Sequence, residues 1–241
     1  IFECVMNPKV LGGGILAYAV GTAVFYSYNR RKRDLKFEHD GNAFASLAKT
    51  YDERINVEEH KNGYDKLRKE YLKDVQGKVL EIAAGTGRNI SVYNSNEKIE
   101  SVVLSDVCDK MLEESAKKIR NAKLPIKTTV CDAAKLPFSN ESFDSVVDTF
   151  GLCSISEPEK AMEEMKRVLK ADGRIVLLEH GRSYKYRLLS RYIDWVAPRH
   201  YRVWGCHHNK DIKKIISDCD LKIESEKTFD YGTTYYYKLK K

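Results

Sequence analysis

The sequence predicts an α/β fold in which a mostly parallel sheet is covered by helices on both faces, and three observations predict it. After Asp40, amphipathic helical segments alternate with short apolar strands. The first of these strands runs directly into a turn of small residues, Val79 to Asn89. Acidic residues then stand at the ends of the next two strands, Asp106 and Asp132. No Pro/Gly/Ser-rich linker divides the polar part of the 241 residues, so one globular domain over 45–241 is expected, preceded by an appendage.

The appendage reads as a membrane anchor. From Val10 to Tyr28 there is no charged side chain, a run that approaches the ~30 Å of a bilayer core at helical rise. Residues 1–9 form a flank with Lys9, and 29–44 form a basic juxtamembrane linker with Arg30, Arg31, Lys32 and Arg33. Tyr26 and Tyr28 sit at the interface position, and the heavier basic flank predicts that the domain faces cytosol or matrix. Gly13, Ala17 and Gly21 recur every four residues, a small-residue face that suits close approach of another helix. The chain opens on Ile1, which leaves room upstream for a targeting sequence.

Within the domain, Tyr64, Leu67, Tyr71, Leu72 and Val75 fall on one side of a helix and Lys66, Arg68, Lys69 and Glu70 on the other, with Gly77 closing it. Strands follow at 79–83, 102–105, 127–131, 143–150 and 174–179. A helix carrying Met111, Leu112 and Ile119 lies between the second and third, and one carrying Met162, Met165 and Leu169, ended by Asp172-Gly173, precedes the fifth. The methionines belong to the core by position. A helix at 211–219 and strands at 221–224 and 233–239 complete the order.

The turn after the first strand has the sequence Val79-Leu80-Glu81-Ile82-Ala83-Ala84-Gly85-Thr86-Gly87-Arg88-Asn89. Its small residues and free backbone N–H groups admit a ligand. Ile90 replaces the third glycine of a dinucleotide fingerprint, and Glu81 puts a carboxylate where a pyrophosphate would be repelled. A ligand with a cationic amine and a sulfonium is attracted by the same carboxylate, which points to S-adenosylmethionine. Asp106, roughly 20 residues after Gly87, is spaced to accept from ribose hydroxyls. Asp132 ends the next strand and suits the adenine amino group.

Composition excludes little else. Hydrophobic residues at 42% and charged residues at 32%, with a net charge of +7, describe an ordinary globular fold with no global signal for nucleic acid. The six cysteines show no CxxC pair and read as free thiols. His207 and His208 are adjacent and should point apart, and Cys206 beside them lacks metal-ligand spacing, so no metal is expected.

VLEIAAGTGRN, LSDVCDKML, CDAAKLPFSNESFDSVV and TFGLCSI in succession resemble class I methyltransferases of the ubiquinone-biosynthesis type over residues 45–240. The span, LLEHGRS and WGCHHNKDI resemble more closely the membrane-anchored mitochondrial methyltransferases of the Oxa-mutation-suppressor family, cousins of the methyltransferase-like 7 proteins. The resemblance implies a Rossmann-like, seven-stranded sheet with an antiparallel seventh strand, and a place on the mitochondrial inner membrane with the catalytic domain in the matrix. It also implies a cofactor site lined by Glu81, Gly85, Gly87, Asp106, Met111, Asp132, Ala133 and Phe150. Ala83 departs from the glycine usual in the wider superfamily and lies at the same site.

A sulfonium methyl is already electrophilic, so catalysis needs chiefly a nucleophile held in line. Where the acceptor must lose a proton, Glu179 and His180 at the end of a central strand are the candidate bases; Glu179 could instead pair with Arg182. Tyr51 either packs or closes over the cofactor. The stretch Tyr184 to Trp204 interleaves aromatics with Arg187, Arg191, Arg199 and Arg202, which suits a small or amphiphilic acceptor, or the lipid surface itself. Nucleic acid is disfavoured, because no Asn-Pro-Pro-Tyr or Pro-Cys signature is present. The alternative to an enzyme is a non-catalytic subunit or assembly factor of a mitochondrial membrane complex that keeps the fold and docks through its span.

Overall fold

The computed structural model describes residues 43–241. The expected span at 10–28, its flanks, and the Gly13, Ala17, Gly21 face lie outside the described residues. Among the described residues, no helix is long and apolar enough to cross a membrane.

Among the described residues two helices come first, α1 (Ala43–Asn62) and α2 (Tyr64–Tyr71). Then follow β1 (Gly77–Ile82), α3 (Ile90–Tyr93), β2 (Ile99–Asp106), α4 (Asp109–Ile119), β3 (Ile126–Val130), β4 (Phe143–Thr149), α5 (Pro158–Val168) and β5 (Leu169–His180). The last elements are α6 (Arg187–Trp204), α7 (Ile212–Asp218), β6 (Lys222–Phe229) and β7 (Thr234–Lys240). One seven-stranded sheet results, in the order β3-β2-β1-β4-β5-β7-β6. The pairs among β1 to β5 are parallel, and β7 runs antiparallel to both of its neighbours.

The strands sort their side chains by period two onto the two faces. Leu80, Ile82, Ile175, Leu177, Tyr235 and Tyr237 join Met162 and Met165 of α5 and Ile212, Ile215 and Ile216 of α7 in one core. Val79, Val176, Leu178 and Tyr236 join Tyr71, Tyr93 and Leu112 in the other. Strand order reverses between β1 and β4, and the crevice beyond that switch point is where such sheets bind ligands.

Two expectations about elements are corrected. The helix expected to end at Asp172-Gly173 stops at Val168, and β5 already begins at Leu169. Gly173 serves close packing within the strand: a Cβ there would meet Leu169 Cδ1 at 2.6 Å and the Asp144 carbonyl at 2.9 Å. The strand expected over 221–224 continues to Phe229. The aromatic and arginine-rich stretch, to which the sequence assigns no element, is a helix, α6, which contains Pro198 and ends at Gly205.

Candidate cofactor and acceptor site

The turn after β1 is built on left-handed backbone at Ala83 (φ 47), Gly85 (φ 55) and Gly87 (φ 73). Gly87 meets a second constraint, because a Cβ there would lie 2.7 Å from Ile90 Cδ1 and 3.1 Å from Ser115 Cβ, where the loop presses on α3 and α4. Ala83 carries a methyl in a region that costs an L-residue about 1–2 kcal/mol, and Phe150 at the end of β4 sits at φ 61. Strain thus gathers on both sides of the switch point.

Carboxylates frame the turn. Asp106 accepts from the Gly85 N–H through Oδ2 and from the Cys108 N–H through Oδ1, each at 2.8 Å. Burial raises its pKa, and these N–H donors oppose the shift. Glu81 is buried; its Oε1 accepts from Asn89 Nδ2 at 2.9 Å, and the buried Tyr93 hydroxyl stands beside the same carboxyl. Burial pushes the Glu81 pKa up to about 7. Asp132 is exposed at the end of β3 and accepts from the Ala134 N–H at 2.9 Å.

Helix α1 roofs this turn. Asp52 accepts from Thr86 Oγ1 at 2.6 Å and from Lys118 Nζ at 2.6 Å, and Glu59 holds Arg68 and Arg88. Arg68 in turn donates to Asn89 Oδ1 at 2.8 Å and to Thr149 Oγ1 at 2.6 Å, and its guanidinium lies 5.2 Å above the Phe150 ring. Tyr51 lines the cavity beneath the roof, where burial raises the pKa of its phenol.

A cavity of about 480 Å³ runs from this turn to a second wall made by α6 and the loop after it. That volume is within the ~300–1,000 Å³ of small-ligand sites. Glu81, Ala83, Gly85, Asp106, Met111, Asp132, Ala133, Phe150 and His180 all line it, whereas Gly87 lies just behind, between the lining residues Thr86 and Arg88. The far wall carries Ile193, His200, Tyr201, Trp204, Cys206 and His208. His207 turns away from it to stack on Tyr201 at 4.2 Å.

The two candidate bases separate. Glu179 is fully buried and outside the lining; its Oε1 accepts from the Gly151 and Leu152 N–H groups at 3.1 and 3.4 Å, which fixes the turn after β4. Burial and the adjacent Asp148 carboxyl push its pKa up. Arg182 pairs with Asp194 instead, at 2.9 Å. His180 does face the cavity, stacked on Phe150 at 4.9 Å, and its Nε2 lies 3.6 Å from Cys153 Sγ and 3.5 Å from Cys206 Sγ. This grouping had no sequence signal, because its members come from three separate segments.

A sheet of this order with a reversed strand between β5 and β6, a glycine turn after β1 and acids at the ends of β1, β2 and β3 defines a class I methyltransferase domain. The chain belongs to the ubiE/COQ5 methyltransferase family, which matches residues 32–203. It is 36% identical over 211 residues to the mitochondrial methyltransferase OMS1 of Saccharomyces cerevisiae, covering 80% of this chain and 44% of that protein. It is 32% identical over 168 residues to the ubiquinone/menaquinone biosynthesis C-methyltransferase UbiE of Idiomarina loihiensis, covering 66% of each. The chain thus spans less than half the length of the first relative and about two thirds of the second. Among solved structures, the putative methyltransferase complexed with the Trm112 activator of Haloferax volcanii has the same fold. It superposes with a TM-score of 0.62 at 15% identity, covering 81% of this chain and 96% of that one.

The family is S-adenosylmethionine-dependent, and the cavity fits that cofactor. The Glu81 carboxyl on the cavity wall suits an ammonium, and the cavity in front of Asp106 leaves room for a ribose.

Proposed function

We propose that the chain is a methyltransferase anchored in the mitochondrial inner membrane by residues 10–28, with the basic linker 29–44 and the catalytic domain 45–241 on the matrix side, acting on a small or amphiphilic acceptor. One observation carries the catalytic reading: a single cavity joins the acids around the glycine turn to the aromatic and histidine wall of α6. S-adenosylmethionine supplies an electrophilic methyl. Glu81 would hold its ammonium, Asp106 its ribose and Asp132 its adenine amino group, with Ala83, Gly85, Met111, Ala133 and Phe150 in contact around it. The α1 roof excludes water, and the α6 wall orients the acceptor. Orientation of this kind is worth on the order of 7–11 kcal/mol.

The lipid-facing part of the proposal has its own support. Leu188, Trp195, Tyr184, Tyr186 and Tyr201 are exposed on and beside α6. Leu188, Arg191, Trp195 and Arg202 follow helical spacing along one outward stripe, an apolar and cationic mixture suited to an anionic bilayer surface. The mitochondrial relative supports the compartment. Calorimetric titration of the full chain with S-adenosylmethionine tests the cofactor assignment, and no heat at millimolar ligand would overturn it. Binding without methyl transfer to extracted mitochondrial lipids and small molecules would favour a non-catalytic subunit. Resistance to alkaline carbonate extraction, lost on deleting 10–28, tests the anchor, and protease protection in mitoplasts tests the matrix orientation.

A further inference from the structure

Cys153 lies in the turn after β4, His180 ends β5, and Cys206 follows the last turn of α6. Their ligand atoms, two Sγ and one Nε2, all fall within 4.8 Å of one another. The arrangement is held from outside the cluster. The His207 N–H donates to the Cys153 carbonyl at 2.9 Å, Glu179 anchors the same turn, and Phe150 stacks on the His180 ring.

We infer that Cys153, His180 and Cys206 form a zinc site whose fourth position opens into the cavity. A tetrahedral zinc with bonds of ~2.3 Å to sulfur and ~2.0 Å to nitrogen separates sulfur from nitrogen by roughly 3.5 Å. The two nitrogen to sulfur distances are 3.6 and 3.5 Å. The sulfurs stand 3.0 Å apart and would open by about 0.8 Å to reach the spacing of two zinc-bound thiolates. Charge balance favours the same ion. Two thiolates and a neutral imidazole cancel a divalent cation, so the loaded site leaves no net charge in a place where both cysteines are buried. Binding forms two S–Zn bonds and one N–Zn bond as two S–H protons leave to solvent, with no change of oxidation state.

The direction of the open position follows from burial. Cys153 lies behind the wall, while His180 and Cys206 line the cavity together with His208, whose ring nitrogens have no hydrogen-bond partner among the described residues. Two thiolates and a histidine with a free position match the ligand set of catalytic rather than structural zinc. An anion bound there would sit in the acceptor half of the cavity. That acceptor role rests on the methyl-transfer reading, whereas the metal site does not.

Full chain purified under reductant and passed over a chelating resin should retain zinc in equimolar amount by mass spectrometric metal analysis, and Cys153→Ser and Cys206→Ser should lose it. Cobalt(II) exchanged into the wild type should give a sulfur-to-cobalt charge-transfer band and the visible bands of a tetrahedral site. Azide should shift the visible bands. A wild-type chain that takes up neither metal, or that carries a Cys153–Cys206 disulfide despite reductant, overturns the site. Visible bands unmoved by azide overturn the open position. The cobalt spectrum needs no variant to fold and no S-adenosylmethionine, so its outcome is separate from that of the cofactor titration.

Discussion

Glu59 and Arg68 form a buried ion pair, with Arg68 Nη2 2.8 Å from Glu59 Oε1 and side-chain exposures of 5% and 6% respectively. It joins the roof helix α1 to the helix before β1, and through Asn89 and Thr149 it reaches the floor of the cavity. Removing the cation leaves a buried carboxylate short of a partner. Arg68→Met should therefore lower stability by about 3 kcal/mol, the lower end for a broken buried pair because Arg88 still holds Glu59. Urea unfolding measures it, and a loss under ~1 kcal/mol would show the pair to be incidental.

Asp52 presents a different case. It is partly exposed, so its three partners add little to global stability. They do tie α1 to Thr86 in the glycine turn. Asp52→Ala should leave the urea midpoint nearly unchanged and weaken S-adenosylmethionine binding roughly tenfold, about the worth of one charged hydrogen bond. Calorimetry decides, and an equal loss of stability and affinity would refute a roof role.

Glu81 predicts opposite pH trends for binding and stability. With its carboxyl pushed up to about 7, the free protein holds a proton there at pH 6 that must leave when a cation binds. Affinity should then rise roughly tenfold per pH unit and level off near the folded value. Stability runs the other way: an unfolded glutamate ionises near ~4.3, so above that pH the unfolded chain has lost a proton that folded Glu81 keeps. Stability should fall by about 1.4 kcal/mol per unit until the folded group ionises too. Glu81→Gln should flatten both curves, and a binding curve already flat from pH 5 to 8 in the wild type would sink the assignment.

Ala83 stands in left-handed backbone with φ 47. Glycine relieves the clash of its methyl but adds freedom to the unfolded chain, so Ala83→Gly should stabilise by a net ~0.5–1 kcal/mol. A fall in melting temperature would mean that the methyl contributes packing that outweighs its strain.

What the sequence shows of this molecule depends on whether the signal is local. Strands such as 79–83 and 174–179 are legible because both faces are covered, which gives continuous apolar runs. The far half of β6 is hidden for the converse reason: on the sheet edge Glu224, Glu226 and Lys227 need no apolar pattern, and only pairing with β7 makes the segment a strand. Asp172-Gly173 has the look of a helix stop, yet Leu169 already pairs with Phe143, so sheet register outweighs local punctuation. The acids around the glycine turn are readable from strand ends. The position of Glu179 is not, since alternation gives only its face and the donors that hold it come from another segment. Cys153, His180 and Cys206 are invisible for the same reason.

The reversed strand also governs how synthesis can proceed. β7 lies between β5 and β6, although it is made after both, and among the described residues β6 has no neighbour but β7. While the ribosome is still making β7, β5 presents a bare edge with the buried, apolar run Ile175 to Leu178, open to pairing with any other extended chain. A nascent chain stalled before Thr234 is thus a template for aggregation, and the interval until Tyr235, Tyr236 and Tyr237 emerge is when a chaperone has most to shield.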